Sequence, residues 1–328
     1  MMAPSFFDFE SDTSAHEAAG VVAYCAFTDV DQQARVFEDW HLDYTQISSG
    51  SFHGSSSIAT FGGVRILVER LDKVILQRGA VPAGRIAVAV PLELEGHARM
   101  CGEKSGRDSL HVFSSGPDFE FFSPEQHLLV NVEIDVSRLP TESLRAFAGS
   151  LHESRMTPVV PMTALTAERL RKVLGHALSL SMGGPAGASA GPLQGAILSV
   201  LAEAVETTPV ELLPRTAAPT SHYALVTEVQ RRLEAAETCP LSIAELCGQL
   251  GVSRRTIQYA FQNALNLNPV AYLRAVRLNH VRRELRLGES VTAAAIKWGF
   301  LHLGGFAQDY KRMFGELPSE TARKYRRA

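Results

Sequence analysis

Cysteine is scarce in this chain, and long apolar runs are missing altogether. The four cysteines, Cys25, Cys101, Cys239 and Cys247, are scattered over 328 residues without a CxxC pair. Cys239 and Cys247 are eight apart, which matches no zinc-ligand spacing, so a zinc knuckle is excluded. A disulfide scaffold is excluded with it, and reduced thiols are expected. No apolar run approaches the ~18 residues that a membrane helix needs. The first residues, MMAPSFFDFESD, are acidic and lack the basic and apolar regions of a signal peptide. These absences lead us to expect a soluble, cytoplasmic protein with no membrane partner. The phosphate-binding P-loop and the GxGxxG dinucleotide turn are also absent, which removes the common nucleotide-binding signatures.

What is present is ordinary in composition and uneven in charge. Hydrophobic residues make up 45% and charged residues 20%, close to the globular average, so a packed core is expected. A length of 328 residues suggests two domains. The net charge of −3 conceals an asymmetry: residues 223–328 hold 16 Lys and Arg against 9 Asp and Glu, a balance of +7. The preceding residues hold 16 against 26, a balance of −10. A basic segment joined to an acidic body points to polyanion binding.

The periodicity divides the chain in the same place. From about 20 to 135 the pattern is of strands: 65–70 and 86–90 alternate, and 110–113, 119–122 and 128–134 are short β-type runs. Close-spaced short strands suggest a small barrel or sandwich. Helical spacing follows in 144–151, 166–182 and 192–205, with a flexible loop at 183–192 between the last two. The Pro/Thr-rich stretch 207–222 reads as a linker between a domain at 1–206 and another at 223–328. The fold class expected is α+β: a β-rich barrel followed by helices, then an all-α domain.

Within the basic segment, residues 243–261 read IAELCGQLGVSRRTIQYAF. Ser242 and Glu245 form a capping box. Small Ala244 is expected to let two helices approach closely, Gly251 to supply the turn, Val252 to plug it and Ser253 to cap the next helix. Ile257, Ala260 and Phe261 return to the core, which completes a helix-turn-helix. Its second helix exposes Arg254, Arg255, Thr256, Gln258, Tyr259 and Gln262, side chains able to donate to base edges and phosphates. The pattern repeats at 295–314, AIKWGFLHLGGFAQDYKRMF, with Gly299 and Phe300 at the turn. Between the two units a helix from Pro269 to about Leu287 spans ~28 Å at ~1.5 Å per residue. That strut suits two recognition helices entering successive major grooves ~34 Å apart on double-stranded DNA. Trp298 is assigned to the core, and the tail 323–327 to a solvated basic face.

On these residues, together with NPVAYLRAVRLNHVRREL and WGFLHLGGFAQDYKRMFGELPSE, the segment 223–328 resembles the AraC/XylS family of transcription regulators. The resemblance implies that Arg255, Gln258 and Tyr259 read one groove. It also implies that His302, Leu303, Gly304, Gly305 and Gln308 face DNA in the second unit, with Lys311 and Arg312 beside phosphates. Gly304–Gly305 departs from the family pattern: two glycines offer no donors and cost ~1 kcal/mol each in a helix interior. The second unit is therefore expected to anchor on the backbone more than to read bases. Less specifically, the N-terminal part resembles the family's cupin-like sensor domain. That implies an unnamed small-molecule effector, a homodimer through the helices at 164–182 and 193–206, and RNA polymerase as a further partner. The resemblance implies no cofactor and no enzymatic activity.

A rival class is a cupin-type metalloenzyme fused to a DNA-binding module. Glu93, Glu95 and His97 alternate and can share a strand face, with His111 on a later strand. Metal cupins supply two closely spaced histidines, and no HxH occurs. An exposed strand face explains these residues better, so no metal ligand is assigned. Arg65, Arg70, Arg78 and Arg85 are candidates for an anionic-ligand pocket, with surface placement an equal alternative.

Overall fold

The computed structural model describes residues 23–96, 98–113, 119–139, 158–183, 190–206, 221–234 and 242–326, with Glu142, Arg145 and Ala146 besides. The linker stretch 207–220, most of the helix expected at 144–151, Cys239 and His97 lie outside the described residues.

The N-terminal part is built on strands β1 (Ala23–Phe27), β2 (Asp43–Gln46), β3 (Gly54–Phe61), β4 (Val64–Leu71), β5 (Ile75–Gly79), β6 (Arg85–Leu94), β7 (Ala98–Met100), β8 (Glu103–Ser105), β9 (Ser109–Phe113), β10 (Phe119–Phe122), β11 (His127–Asp135) and β12 (Val159–Pro161). Seven form one antiparallel sheet in the order β1, β3, β4, β11, β6, β9, β12; five form another in the order β2, β5, β10, β7, β8. At the centre of the larger sheet, Val130 on β11 stands between Val68 and Val90. Successive strand residues face opposite ways, so β4, β6 and β11 each bury two faces. Ile66, Val88, Val130 and Val132 pack under two helices, α2 (Ala164–Gly183) and α3 (Ala190–Glu206), while Leu67, Ala87, Ala89 and Leu129 pack against the smaller sheet. A strand buried on both sides loses its polar alternation, which is why 86–90 reads as an almost unbroken apolar run. A short helix, α1 (Val30–Ala34), is capped by Asp29, whose carboxylate accepts from the backbone N–H of Asp31 and Gln32.

The C-terminal part is entirely helical: α4 (Ser221–Glu234), α5 (Ile243–Leu250), α6 (Arg254–Leu265), α7 (Pro269–Arg286), α8 (Val291–Lys297), α9 (Leu303–Phe314) and α10 (Pro318–Arg326). The chain as a whole thus has the expected order of a β-rich part followed by helices and then two helix-turn-helix units. One apolar core holds α4–α6 and the start of α7; a second holds the end of α7 with α8–α10.

The two parts share an extensive contact. Leu76 and Phe122 of the smaller sheet join the core of the first helical unit. Tyr223 of α4 lies flat against Gly102, whose φ of +82° and missing side chain both serve that approach. Along α7 the contact turns ionic. Arg282 meets Asp29 at 3.2 Å, and Arg286 meets Asp29 at 2.8 Å and Asp31 at 2.6 Å. Arg283 pairs with Asp43 and Asp31 and donates to the Tyr44 carbonyl at 2.8 Å. Asn279 and Gln46 exchange two hydrogen bonds, and Gln46 also donates to the Met313 carbonyl at 2.9 Å. Three of the arginines that make the C-terminal segment basic are thus engaged by the acidic N-terminal part.

Candidate functional site

Local signals build each reading head. In the first, Ser242 and Glu245 bond reciprocally at 3.2 and 2.7 Å, closing the capping box. Gly251 ends α5 at φ 64°, the left-handed conformation that favours glycine. Ser253 then accepts from the Thr256 backbone N–H at 3.1 Å and starts α6. Ile257, Ala260, Phe261, Ala264 and Leu265 are buried, which leaves the opposite face of α6 to solvent. One expectation fails: Ala244 is exposed, and its neighbours Ile243 and Leu246 make the packing contacts. The cap at Ser242 sets the register, and that register turns Ala244 outward.

In the second unit, Ser290 caps α8 and Gly315 ends α9 at φ 76°. Trp298 is buried and stacked on His280 at 3.9 Å between ring centroids, a core position as expected. Gly304 and Gly305 stand in the first turn of α9, not in its interior. Their helix-propensity cost is correspondingly smaller, because first-turn N–H groups have no intrahelical partner to lose. His302 precedes α9 without a side-chain cap, so those N–H groups are open to an anion.

All thirteen residues singled out in the sequence are exposed: Arg254, Arg255, Thr256, Gln258, Tyr259 and Gln262 on α6, and His302, Leu303, Gly304, Gly305, Gln308, Lys311 and Arg312 around α9. The helix α7 between them has 18 residues, or about 27 Å. Two features escaped the sequence reading. Arg255 lies over the Tyr259 ring at 5.2 Å and donates to its hydroxyl at 2.8 Å, so the guanidinium is already oriented. The i, i+4 spacing of the two residues carried that signal. Asp309, nearly buried, pairs with both Arg274 and Arg312, which restrains two cations between the heads.

A second feature lies between the sheets. Phe37, Trp40, Phe113 and Phe119 wall a small cavity of about 20 Å³, room for about one water, and Tyr44, Glu69, Gln77 and Asn131 provide its polar lining. Glu69 is fully enclosed and accepts from Tyr44 Oη at 2.7 Å, Gln77 Nε2 at 3.1 Å and Gln33 Nε2 at 3.2 Å. Burial pushes its carboxyl up to about 7, against the pull of those three hydrogen bonds. The folded chain therefore keeps this proton to a higher pH than the unfolded chain does. Folding takes up a proton between about pH 4.5 and 7, and stability falls as pH rises through that window. Glu69→Gln should remove that fall, worth up to ~3 kcal/mol. Melting curves of both proteins from pH 5 to 8 test this; parallel curves would contradict it.

Among the described residues, those of the rival metal reading do not converge. Glu93 is exposed and paired with Arg70 at 2.8 Å, whereas His111 is buried beside Ser105. Nor do the four arginines build an anion pocket. Arg65 and Arg85 hold Glu133 at 2.7 and 2.6 Å, Arg70 holds Glu93, and Arg78 holds Glu120 at 3.0 Å. Arg65, Arg78 and Arg85 each face a carboxylate on a neighbouring strand, and Arg70 on β4 reaches across β11 to Glu93 on β6, so sheet register pairs these charges off.

Comparison with known proteins singles out the same region. A family model described as a helix-turn-helix domain matches residues 246–324. A probable thc operon regulatory protein of Rhodococcus erythropolis is 42% identical over 95 residues, 28% of this chain and 29% of the relative. A XylDLEGF operon transcriptional activator of Pseudomonas putida is 35% identical over 88 residues, 26% of this chain and 27% of the relative. The alignments thus span less than a third of these curated relatives. A solved structure, a probable AraC family transcriptional regulator from Rhodopseudomonas palustris, is 41% identical; the match covers 31% of this chain and 97% of that one, with a TM-score of 0.29. By sequence, the C-terminal domain of this chain belongs to the AraC family of helix-turn-helix transcriptional regulators.

Proposed function

We propose that the chain is a sequence-specific regulator of transcription, reading duplex DNA through α6 and α9 and answering to a small molecule held by its β-rich part. The observation that carries this reading is the exposure of all thirteen candidate residues on two heads joined by one rigid helix. The division of labour follows from the side chains. Arg255 and Gln258 offer the donors and acceptors suited to guanine and adenine edges. Around α9, glycine replaces side chains at two positions, and open backbone N–H groups with Lys311 and Arg312 suit phosphates. Residues 1–206 form the sensing unit and 223–328 the DNA-binding unit, joined by 207–222. A second copy pairs across α2 and α3, and RNA polymerase is the partner on DNA. The setting is cytoplasmic; among the described residues no helix is long and apolar enough to cross a membrane.

The single-residue test separates reading from anchoring. Arg255→Ala should cost ~1–3 kcal/mol on a preferred duplex and relax one or two base positions. Lys311→Ala should weaken every duplex alike and lower the salt slope by about one. Fluorescence anisotropy on preferred and scrambled duplexes measures both. Equal losses from Arg255→Ala on the two duplexes would sink the assignment.

A further inference from the structure

The loop that follows β2 supplies something that α9 lacks. The last four carbonyls of a helix have no partner within it; in α9 they belong to Lys311, Arg312, Met313 and Phe314. The Gly315 N–H takes the first. The next two are met from the β-rich part. The Gly50 N–H donates to the Arg312 and Met313 carbonyls at 3.0 and 3.1 Å, and Gln46 Nε2 donates to the Met313 carbonyl at 2.9 Å. Ser51 fills the space that a side chain at Gly315 would need. The second recognition helix is thus capped from the other part of the chain.

That capping segment is stiff. Gln46 is buried and also bonds the Ser48 and Gly50 carbonyls at 2.9 and 2.8 Å. The Ile47 N–H donates to the Val74 carbonyl at 2.8 Å, and Ser48 Oγ accepts from the Val74 N–H at 2.9 Å, which ties the loop to the start of β5. Ile47, the one apolar side chain in 46–51, packs against the core of the first head and also against the core of the second. Gln46 and Asn279 join the segment to the middle of α7. The first head is held separately, by Leu76, Phe122 and the contact of Tyr223 with Gly102. Two heads with separate cores on one helix are therefore both gripped by the β-rich part. All thirteen candidate residues stay exposed, so the grip positions the heads without masking them.

We propose that segment 46–51 is a specificity-determining brace, which fixes the distance and phase between α6 and α9 and so selects the spacing of the two sequence blocks they read. The proposal rests on the reading of α6 and α9 as DNA-reading heads, and it assigns spacing selection to residues outside the DNA-binding unit. Moving one block by a base pair displaces it ~3.4 Å and turns it about 35° around the duplex. Braced heads cannot follow both movements, and the duplex resists the twist that would return the block to α9. Gln46 and Ile47 act through the placement of α9, as positioning residues.

Anisotropy titrations of the full chain test this on duplexes carrying the two blocks at centre-to-centre spacings of about 9 to 12 base pairs. The parent chain should favour one spacing and lose at least about tenfold for a change of one base pair, the scale of a lost base contact. Ile47→Ala removes the wedge and Gln46→Met the cap donor; each should cut that loss to about threefold or less while the base preference under α6 persists. Ile47→Val, which keeps a branched side chain in the wedge, should retain the parent profile. Weakening by one common factor at every spacing, or an unchanged profile in both disruptive variants, overturns the brace. A parent chain that keeps its preference under α6 but binds all spacings alike overturns the brace alone, with no variant needed. A parent chain with no sequence preference overturns the regulator reading and the brace together.

Discussion

Raising the salt from 50 to 200 mM should weaken binding to duplex DNA by about 10³-fold. The basis is displacement of condensed counterions, which gives a log–log slope of about −0.9 for each phosphate neutralised. The contact between the two parts decides how many cations remain for that purpose. Arg282, Arg283 and Arg286 face Asp29, Asp31 and Asp43 and are removed from the count. Arg254, Arg255, Lys311, Arg312, Arg323 and Lys324 remain exposed. About six phosphate contacts give a slope near −5, hence the 10³-fold loss over that fourfold range. Anisotropy titrations at four salt concentrations measure the slope directly. A value shallower than about −2 would show that these residues do not touch the backbone.

Asp29→Ala should be the most damaging single change to stability, costing about 3–5 kcal/mol, the usual penalty for stripping one partner from a buried ion pair. The Asp29 side chain is fully buried; it pairs with Arg282 and Arg286, accepts from Tyr325 Oη at 3.3 Å and caps α1. Its loss leaves two largely buried guanidiniums leaning on Glu316 and Asp31 alone. For a chain of this size the melting temperature should fall by about 4–7 °C. Asp72→Ala, which breaks a more exposed contact with His53 and Lys73, should cost under ~1 kcal/mol. The acid response follows from the same geometry. Burial works to raise the Asp29 carboxyl, but Arg282, Arg286 and the Gln32 backbone N–H outweigh it and hold it below its ordinary value of 3.8. The stabilisation is therefore complete above about pH 4 and is lost only as pH falls through the lowered value. If Asp29→Ala melts like the parent chain, the contact between the two parts is not energetically important.

The helical half was legible because its signals are local. Ser242, Gly251 and Ser253 act within four residues of themselves, and each starts or ends a helix where expected. The exposed face of α6 followed from the same periodicity, whereas that of α9 came from the family resemblance. The β-rich half was legible only at β4, β6, β9, β10 and β11. Strands such as β2, β7 and β8 have three or four residues, too few for alternation to register, and they exist because partners elsewhere in the chain pair with them. The cavity was invisible for the same reason. Glu69 looks like one polar position in an alternating strand until Gln33 and Tyr44, 36 and 25 residues away, turn toward it. The grip on α7 joins residues more than 230 apart. Ala244 was misplaced because small size suggested contact, whereas the capping register decides which way it points.

Selection of bound duplexes from a library with a randomised core tests the central claim most directly. Two heads on a strut of about 27 Å should enrich two blocks of sequence one helical turn apart, about 10 base pairs from centre to centre. The block under α6 should be the more strongly constrained, because Arg255 and Gln258 read base edges and the glycines of α9 do not. Enrichment of a single block, of two blocks with the stronger one lost on Gln308→Ala but kept on Arg255→Ala, or of no sequence at all would contradict it.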